Sequence, residues 1–416
     1  MASASFAPLR HRGFVLALSS SFVSSTGTWM QSVALGVYIA DKTHNDIWLG
    51  LITAAAWVPA IIGSPVGGVF SERLNRQRWI QSCNFIMAIT ASLLAIAEVT
   101  HHLSLPIACY LAVVEGLCGS ASWAAWQSLL RDLVEKEEVL AAVSLSSAQF
   151  NLGRIIGPAL AGVALGVGSI SWCFALNAAS FIFVVVIFSF VKSPPRARVL
   201  AKVRIWAETV VGAKVAWSVR GCRNPIIAVG VVALIASPFI TLVPAMAVHT
   251  LHDGSVGTAW LVGAQGVGAV IGAVTLPAVA KRSSRVSVLR GSLYVLALAE
   301  ALYALAPTLA LSVCALVLLG GAYVGTLTGL NTSVQLHAPT SERSRILALY
   351  TLSLSMLYPL GATIQSAFAT TWGVRPVTFV AACILGLIVA GVNIFKPQFW
   401  REMGSPTTER IELLAD

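Results

Sequence analysis

The stretch NLGRIIGPALAG, Asn151 to Gly162, lies inside an apolar run, yet it carries an arginine, glycines and a proline. On a helix, Gly153, Gly157, Ala161, Ala164 and Gly168 fall on one side and make a stripe of small residues, where a second helix can come close. Pro158 has no amide hydrogen, so the carbonyl of Arg154 loses its helical partner. In hydrocarbon that carbonyl must find another donor, which places it in a buried or cavity-lining site. A charge near mid-bilayer costs at least about 2.5 kcal/mol, so Arg154 calls for a partner or for water.

The surrounding chain supports a membrane setting. Of its 416 residues 57% are hydrophobic and only 11% charged, and the mean hydropathy is +0.81. Runs of about 20 almost charge-free residues recur from Phe14 to Ile394, each long enough to cross a hydrocarbon layer as a helix. Twelve spans are expected, near 13–40, 47–70, 78–100, 104–130, 139–168, 170–191, 225–250, 256–280, 286–306, 308–337, 344–370 and 374–395. The polar second half of the first span argues that it is retained rather than cleaved as a signal. The fold class is therefore an all-α membrane protein.

The net charge of +10 suggests a nucleic-acid partner only until the charges are placed. Every second loop is basic, while the alternate loops hold only Lys42 and Arg375. The positive-inside rule then puts both termini in the cytoplasm and the chain in the cytoplasmic membrane, with the bilayer and no nucleic acid as partner. The seven cysteines show no CxxC spacing, so no metal, cofactor or disulfide role is assigned.

The chain also looks duplicated. The segment from Arg131 to Gly162 lines up with that from His337 to Ser366 at an offset of about 204 residues, and GGVFSERLNRQR from Gly67 corresponds in place to TLPAVAKRSSR from Thr275. The expected organisation is a six-helix half over 1–191, a basic linker over 192–224, a second half over 225–395 and a tail over 396–416. In the linker, Val203, Trp206, Val210, Ala213 and Trp217 share a helical face flanked by Arg198, Lys202, Arg204, Lys214 and Arg220. That pattern fits an interfacial helix on anionic lipid; a solvated tether is the alternative.

Two motifs carry a family resemblance. GGVFSERLNRQR resembles the loop signature of the major facilitator superfamily: Gly68, Arg73, Arg76 and Arg78 fit, Glu72 replaces the usual Asp, and Asn75 replaces a Gly as another residue that tolerates positive φ. NLGRIIGPALAG resembles the antiporter signature of its drug-exporting branches through Gly153, Gly157, Pro158 and Gly162. Together with WMQSVALGVYI and NAASFIF, these segments are similar to the exporter branch that contains macrolide efflux proteins and the enterobactin exporter, most extensively over residues 10–191. The resemblance implies two six-helix pseudo-repeats, a cytoplasmic gate in which Glu72 pairs with neighbouring arginines near Arg131 and Asp132, and a cavity lined in part by the first span.

The deep charges invite a coupling role. Glu115, midway along the fourth span, is the expected partner of Arg154, either as a structural ion pair or as a proton-sensitive pair facing the cavity. Glu300, in the ninth span, is the other deep acid. The first span is polar from Ser19 to Gln31, making Ser24, Thr28, Trp29 and Gln31 candidate cavity or packing residues. Ser122, Trp126, Gln265, Tyr323, Asn331, Tyr358 and Gln365 extend such a surface. It is polar but poor in charge, which suits a small amphipathic or weakly charged compound better than a sugar phosphate. His44, His101, His102, His249 and His252 gather on the outer side and read as loop residues rather than metal ligands.

No GxxxxGK[ST] loop is present and no nucleophile, histidine and carboxylate collect at one depth, so neither ATP hydrolysis nor an enzyme is indicated. The leading expectation is a monomeric secondary exporter driven by proton antiport and alternating access. An uncoupled facilitator, importer or lipid transporter of the same fold is the alternative, and a non-transporting scaffold or receptor is the reading from another class.

Overall fold

The computed structural model describes residues 6–43, 45–73, 75–167, 169–191, 214–339 and 342–404. The expected interfacial helix falls mostly outside them: Arg198, Lys202, Val203, Arg204, Trp206, Val210 and Ala213 are not described, whereas residues 214–218 are helical with Trp217 exposed.

The architecture is all-helical among the described residues. The helices are α1 (Arg12–Lys42), α2 (Ile47–Trp57, continued after a turn at Val58 and Pro59 by Ala60–Arg73), α3 (Arg76–Val99), α4 (Leu105–Leu130), α5 (Val139–Val167) and α6 (Ile170–Phe188). After the linker come α7 (Arg220–Val231, Val232–Ala236, Phe239–Ala245 and Met246–Thr250 in succession), α8 (Gly254–Arg282), α9 (Arg285–Leu305), α10 (Leu309–His337), α11 (Arg343–Trp372), α12 (Val374–Phe395) and a short α13 (Gln398–Gly404). Ten of them are long and apolar enough to cross a membrane by length and composition. With α1 and α5 they make up the twelve expected from the sequence.

Helix starts are set by side chains that satisfy the first free amides. Asn75 accepts from the amides of Gln77 and Arg78 to open α3, Ser284 accepts from Ser287 to open α9, and Thr308 accepts from Leu311 to open α10. Asn75 thus corrects one expectation: its φ is −67°, and it serves the turn as a cap rather than through a left-handed backbone. Gly373, at φ +87°, makes the sharp turn between α11 and α12 that L side chains rarely tolerate.

Two compact units are present, one of Met1–Val203 with Val243–Gly263, the other of Arg204–Leu242 with Ala264–Asp416. The first is built on two apolar clusters. Phe14, Ile80, Trp126, Leu129, Leu130, Val184 and Phe188 form one, near the end that carries Arg76 and Arg131. Cys83, Met87, Ala91, Cys118, Ala121 and Phe181 form the other.

Glycines let the helices within each unit touch backbone to backbone. A Cβ on Gly116 would collide with the carbonyl of Ala56, locking α4 against α2. In the second unit a Cβ on Gly320 would collide with the carbonyl of Gln265, locking α10 against α8. Gly116 and Gly320 stand 204 positions apart, the offset of the two repeats in the sequence. The same close approach is used at equivalent points in both repeats.

Helix α7 departs from α geometry twice, over Val232–Ala236 and Met246–Thr250, both π turns. The first precedes Pro238, which donates no amide hydrogen, and the amide of Ser237 reaches the carbonyl of Val232 at 2.8 Å. The carbonyls this frees are served from α11: Gln365 Nε2 donates to Ile235 O at 2.7 Å and lies 3.4 Å from Leu234 O.

Candidate functional site

The first unit concentrates its deep polar groups where α1, α3, α4 and α6 meet. Glu115, half-buried midway along α4, accepts from Gln31 Nε2 of α1 at 2.6 Å and from Thr90 Oγ1 of α3 at 3.0 Å. Gln31 in turn accepts from Asn177 Nδ2 of α6 at 2.9 Å. Gln31, Thr90 and Asn177 are buried, so the apolar helices present one connected polar chain at mid-depth. Thr90 Oγ1 also lies 2.9 Å from the carbonyl of Met87. A hydroxyl has one proton to donate, so it serves either Met87 or Glu115 at any moment.

Arg154 is not the partner of Glu115. Its guanidinium lies over the ring of Trp29, 5.2 Å from the centroid, and among the described residues it forms no ion pair and no hydrogen bond. The expected pairing fails on azimuth. Both charges sit at mid-span, but Glu115 turns toward α1 and α3, while Arg154 turns toward the flank of α1 that bears Trp29. Around Arg154 the aromatic rings gather: Phe150 is edge-on to Trp29 at 6.1 Å and tilted against Trp123 at 5.7 Å.

The glycine-proline motif does its work against α1. A Cβ on Gly153 would lie 3.0 Å from Ser25 Cβ, and one on Gly157 would lie 2.6 Å from Thr26 O and 2.7 Å from Trp29 Cβ. Gly162 faces Ala259 of α8 at 2.5 Å by the same construction. Pro158 sits within α5 between these contacts. The motif therefore fixes the position of Trp29 relative to Arg154.

The charged loop joins α3 to the end of α4. Arg76 Nη1 is ion-paired with Asp132 Oδ2, both largely shielded, and lies 3.4 Å from the carbonyl of Ser128. Gln81 Nε2 donates to Val185 O at 2.8 Å, so the start of α3 is tied to both α4 and α6. Arg78 and Arg131 are exposed, and Gly68 has open space around it. The side chains of Glu72 and Arg73 lie outside the described residues.

The remaining candidates separate into surface and packing residues. On α1, Ser24 is half-buried, and exposed Thr28 donates to its carbonyl at 2.9 Å. Trp126 is buried in an apolar cluster with its indole donating to Ser146 Oγ at 3.0 Å, which corrects its reading as a cavity residue. Ser122, half-buried, accepts from Asn84.

In the second unit, Tyr323 meets Ser237 at 3.0 Å and Tyr358 meets Thr241 at 2.9 Å, so both tyrosines brace the irregular α7, as Gln365 does. Gln265 is buried at the α8–α10 contact, and Asn331 is bonded to Gln335 within α10. Glu300 is fully buried in α9, and neither carboxyl oxygen has a hydrogen-bond partner among the described residues.

Sequence reasoning missed Thr90, Asn177, Trp123 and Phe150. Asn177 had a signal, a lone amide inside the apolar run NAASFIF. Trp123 and Phe150 had none, because aromatic residues in a spanning helix face lipid, core and cavity alike.

The described outer histidines are turn residues or pack within the first unit. His101 and His252 adopt φ of 58° and 60° beyond the ends of α3 and α7. His249 Nε2 is 2.6 Å from Ala40 O and its Nδ1 is 3.1 Å from Asp46 Oδ1. His44 lies outside the described residues, among which no metal-ligating group gathers.

Comparisons place this arrangement among known proteins. The chain is 28% identical over 152 residues to the staphyloferrin A transporter of Staphylococcus aureus, covering 36% of this chain and 38% of that one. It is 27% identical over 186 residues to the enterobactin exporter EntS of Citrobacter koseri, covering 44% and 45%. The chain thus matches less than half the length of either relative. Among solved structures it is similar to a bacterial homologue of the human lysosomal transporter Spinster, with a TM-score of 0.74 over 95% of this chain and 99% of that one, at 14% identity. At that identity the likeness speaks for the fold alone. The profile of the family described as transmembrane secretion effector matches residues 3–407. With the twelve helices and their repeated layout, that match identifies a multi-pass membrane protein that belongs to the transmembrane secretion effector family of the major facilitator superfamily.

Proposed function

We propose that the protein is a secondary exporter that carries a small amphipathic organic compound out across the cytoplasmic membrane in exchange for protons. In this reading both termini are cytoplasmic, the protein works as a monomer, and the halves 1–191 and 225–395 rock about a midplane site. One relative is a staphyloferrin A transporter and the other an enterobactin exporter; both support a small organic substrate, and the second supports the outward direction.

The observation that carries the reading is the setting of Glu115. Its carboxyl is held at mid-depth by two neutral donors and, among the described residues, by no cation. A salt bridge would have to break for such a group to take up a proton; this network only has to turn. With Glu115 ionised, Thr90 donates to it. With Glu115 protonated, its own O–H donates to Thr90 Oγ1, and the Thr90 proton swings to the carbonyl of Met87. In both states Glu115 and Thr90 stay hydrogen-bonded to each other, which is what a reversible proton carrier needs. Arg76 with Asp132, and Glu72 four residues before Arg76, form the gate near the basic loops, and Gly153, Gly157 and Pro158 give α5 a close bearing on α1.

The test uses everted membrane vesicles with an imposed proton gradient and a pH-sensitive dye. Glu115→Gln keeps the shape and the hydrogen bond to Gln31 while removing the titratable group. Substrate-dependent proton release is expected to vanish, with substrate binding retained. Wild-type proton exchange in that variant would rule Glu115 out as the carrier.

A further inference from the structure

We propose that Trp29, Trp123, Phe150 and Arg154 form a subsite for an anionic aromatic group, a carboxylate or similar oxyanion borne on a flat ring. This refines the substrate class of the exporter proposed above and rests on that reading only for its physiological meaning. Arg154 lies at the middle of α5, and among the described residues none of its five N–H donors is taken by protein. An arginine left so in hydrocarbon is costly enough that its face must be wetted. Glu115, the nearest carboxylate in depth, spends its oxygens on Gln31 and Thr90 and does not neutralise it. Among the described residues the surface therefore keeps a positive charge at mid-depth that no anion answers.

The rings supply the second half of the argument. Trp123 and Phe150 are 42% and 36% exposed, large apolar faces left open beside a cation. Their planes meet at 53°, and Phe150 meets Trp29 at 67°, so no two of the three rings cover each other's faces. A flat ring can enter edge-to-face or offset against them. Trp29 occupies one face of the guanidinium and leaves its N–H edge free, and that edge matches two oxygens of a carboxylate. A cation would be repelled here, and a neutral aliphatic compound would satisfy neither feature.

Binding to purified full-length protein in nanodiscs tests this without any transport step. The probes are 1-naphthoate, its uncharged counterpart 1-naphthalenemethanol, and cyclohexanecarboxylate, read by calorimetry. Naphthoate is expected to bind about tenfold or more tighter than either of the others. Arg154→Gln should erase its advantage over naphthalenemethanol, and Phe150→Leu should erase its advantage over cyclohexanecarboxylate while the charge preference stays. Should Arg154→Gln fail to fold, Arg154→Lys, which keeps the charge but loses the fork, is expected to show a reduced preference for naphthoate. Equal affinity of naphthoate and naphthalenemethanol in the wild type, or an unchanged ratio in the variants, overturns the subsite. Loss of proton-driven export with these preferences intact would overturn the exporter reading and leave the subsite standing.

Discussion

Gly157→Ala offers a sharp test of how α5 is seated. The added Cβ would stand 2.6 Å from Thr26 O and 2.7 Å from Trp29 Cβ, against ordinary separations of about 3.3 to 4.0 Å. Neither neighbour is the loose end of a side chain, so α5 has to retreat from α1 by about 1 Å. Overpacking of this kind costs about 1 to 3 kcal/mol, partly offset by the 0.5 to 1 kcal/mol, roughly, that alanine gains over glycine in a helix.

Gly68→Ala is the matched control, since a Cβ there meets nothing within 4 Å and keeps only the helical gain. The two variants should therefore differ by about 1 to 3 kcal/mol, with Gly157→Ala the less stable. The assay is thermal unfolding followed with a fluorogenic maleimide, because Cys83, Cys118 and Cys173 are buried and react only as the first unit opens. Equal melting of the two variants, or a more stable Gly157→Ala, would refute the argument that the motif is a contact surface.

Three further outcomes are expected. Thr90→Val removes the hydroxyl that alternates between Met87 and Glu115 and should slow proton exchange about tenfold, with Thr90→Ser restoring it; vesicle kinetics measure both. Arg76→Gln and Asp132→Asn should each destabilise the first unit, and the double variant by less than their sum, with a coupling of about 1 kcal/mol or more in a double-mutant cycle. Glu402 on α13 accepts from Arg220 Nη1 and Asn224 Nδ2, both at 2.8 Å. Slight burial pushes its carboxyl up, but those two hydrogen bonds and the charges of Arg220 and Arg223 outweigh it and hold the group below the usual glutamate range. Its docking of α13 is then fully present above about pH 4.3 and lost as pH falls through the lower folded value. Hydrogen exchange at α13 should rise in acid, and Glu402→Gln should flatten that dependence.

What the sequence revealed was depth. Apolar runs located the twelve helices, and the positions of Glu115 and Arg154 within them put both charges near the middle. It did not reveal azimuth, because a helix with polar residues on several sides offers several faces to its neighbours. Glu115 and Arg154 looked like partners and are not, and Trp126, expected on the cavity surface, turns inward to Ser146. The glycine motif was legible because absence of a side chain is itself a geometric statement. The irregular α7 was not, since a proline marks the broken hydrogen bond without saying which residue widens the turn or that Gln365, over a hundred residues later, repairs it.

The π turn over Val232–Ala236 also bears on how this chain should be compared with others. A wide turn holds one residue more than the α pitch requires for the same rise. Everything beyond it, Ser237 and Thr241 included, is rotated by about 100° from where a regular helix would put it. A relative with an unbroken seventh helix would therefore align here only with a single-residue gap, and ungapped pairing would assign the tyrosine-binding hydroxyls to the wrong side. Deleting one residue within the turn should regularise the helix and carry both hydroxyls away from Tyr323 and Tyr358, so the surplus residue acts as an indexing device for that wall of the second unit.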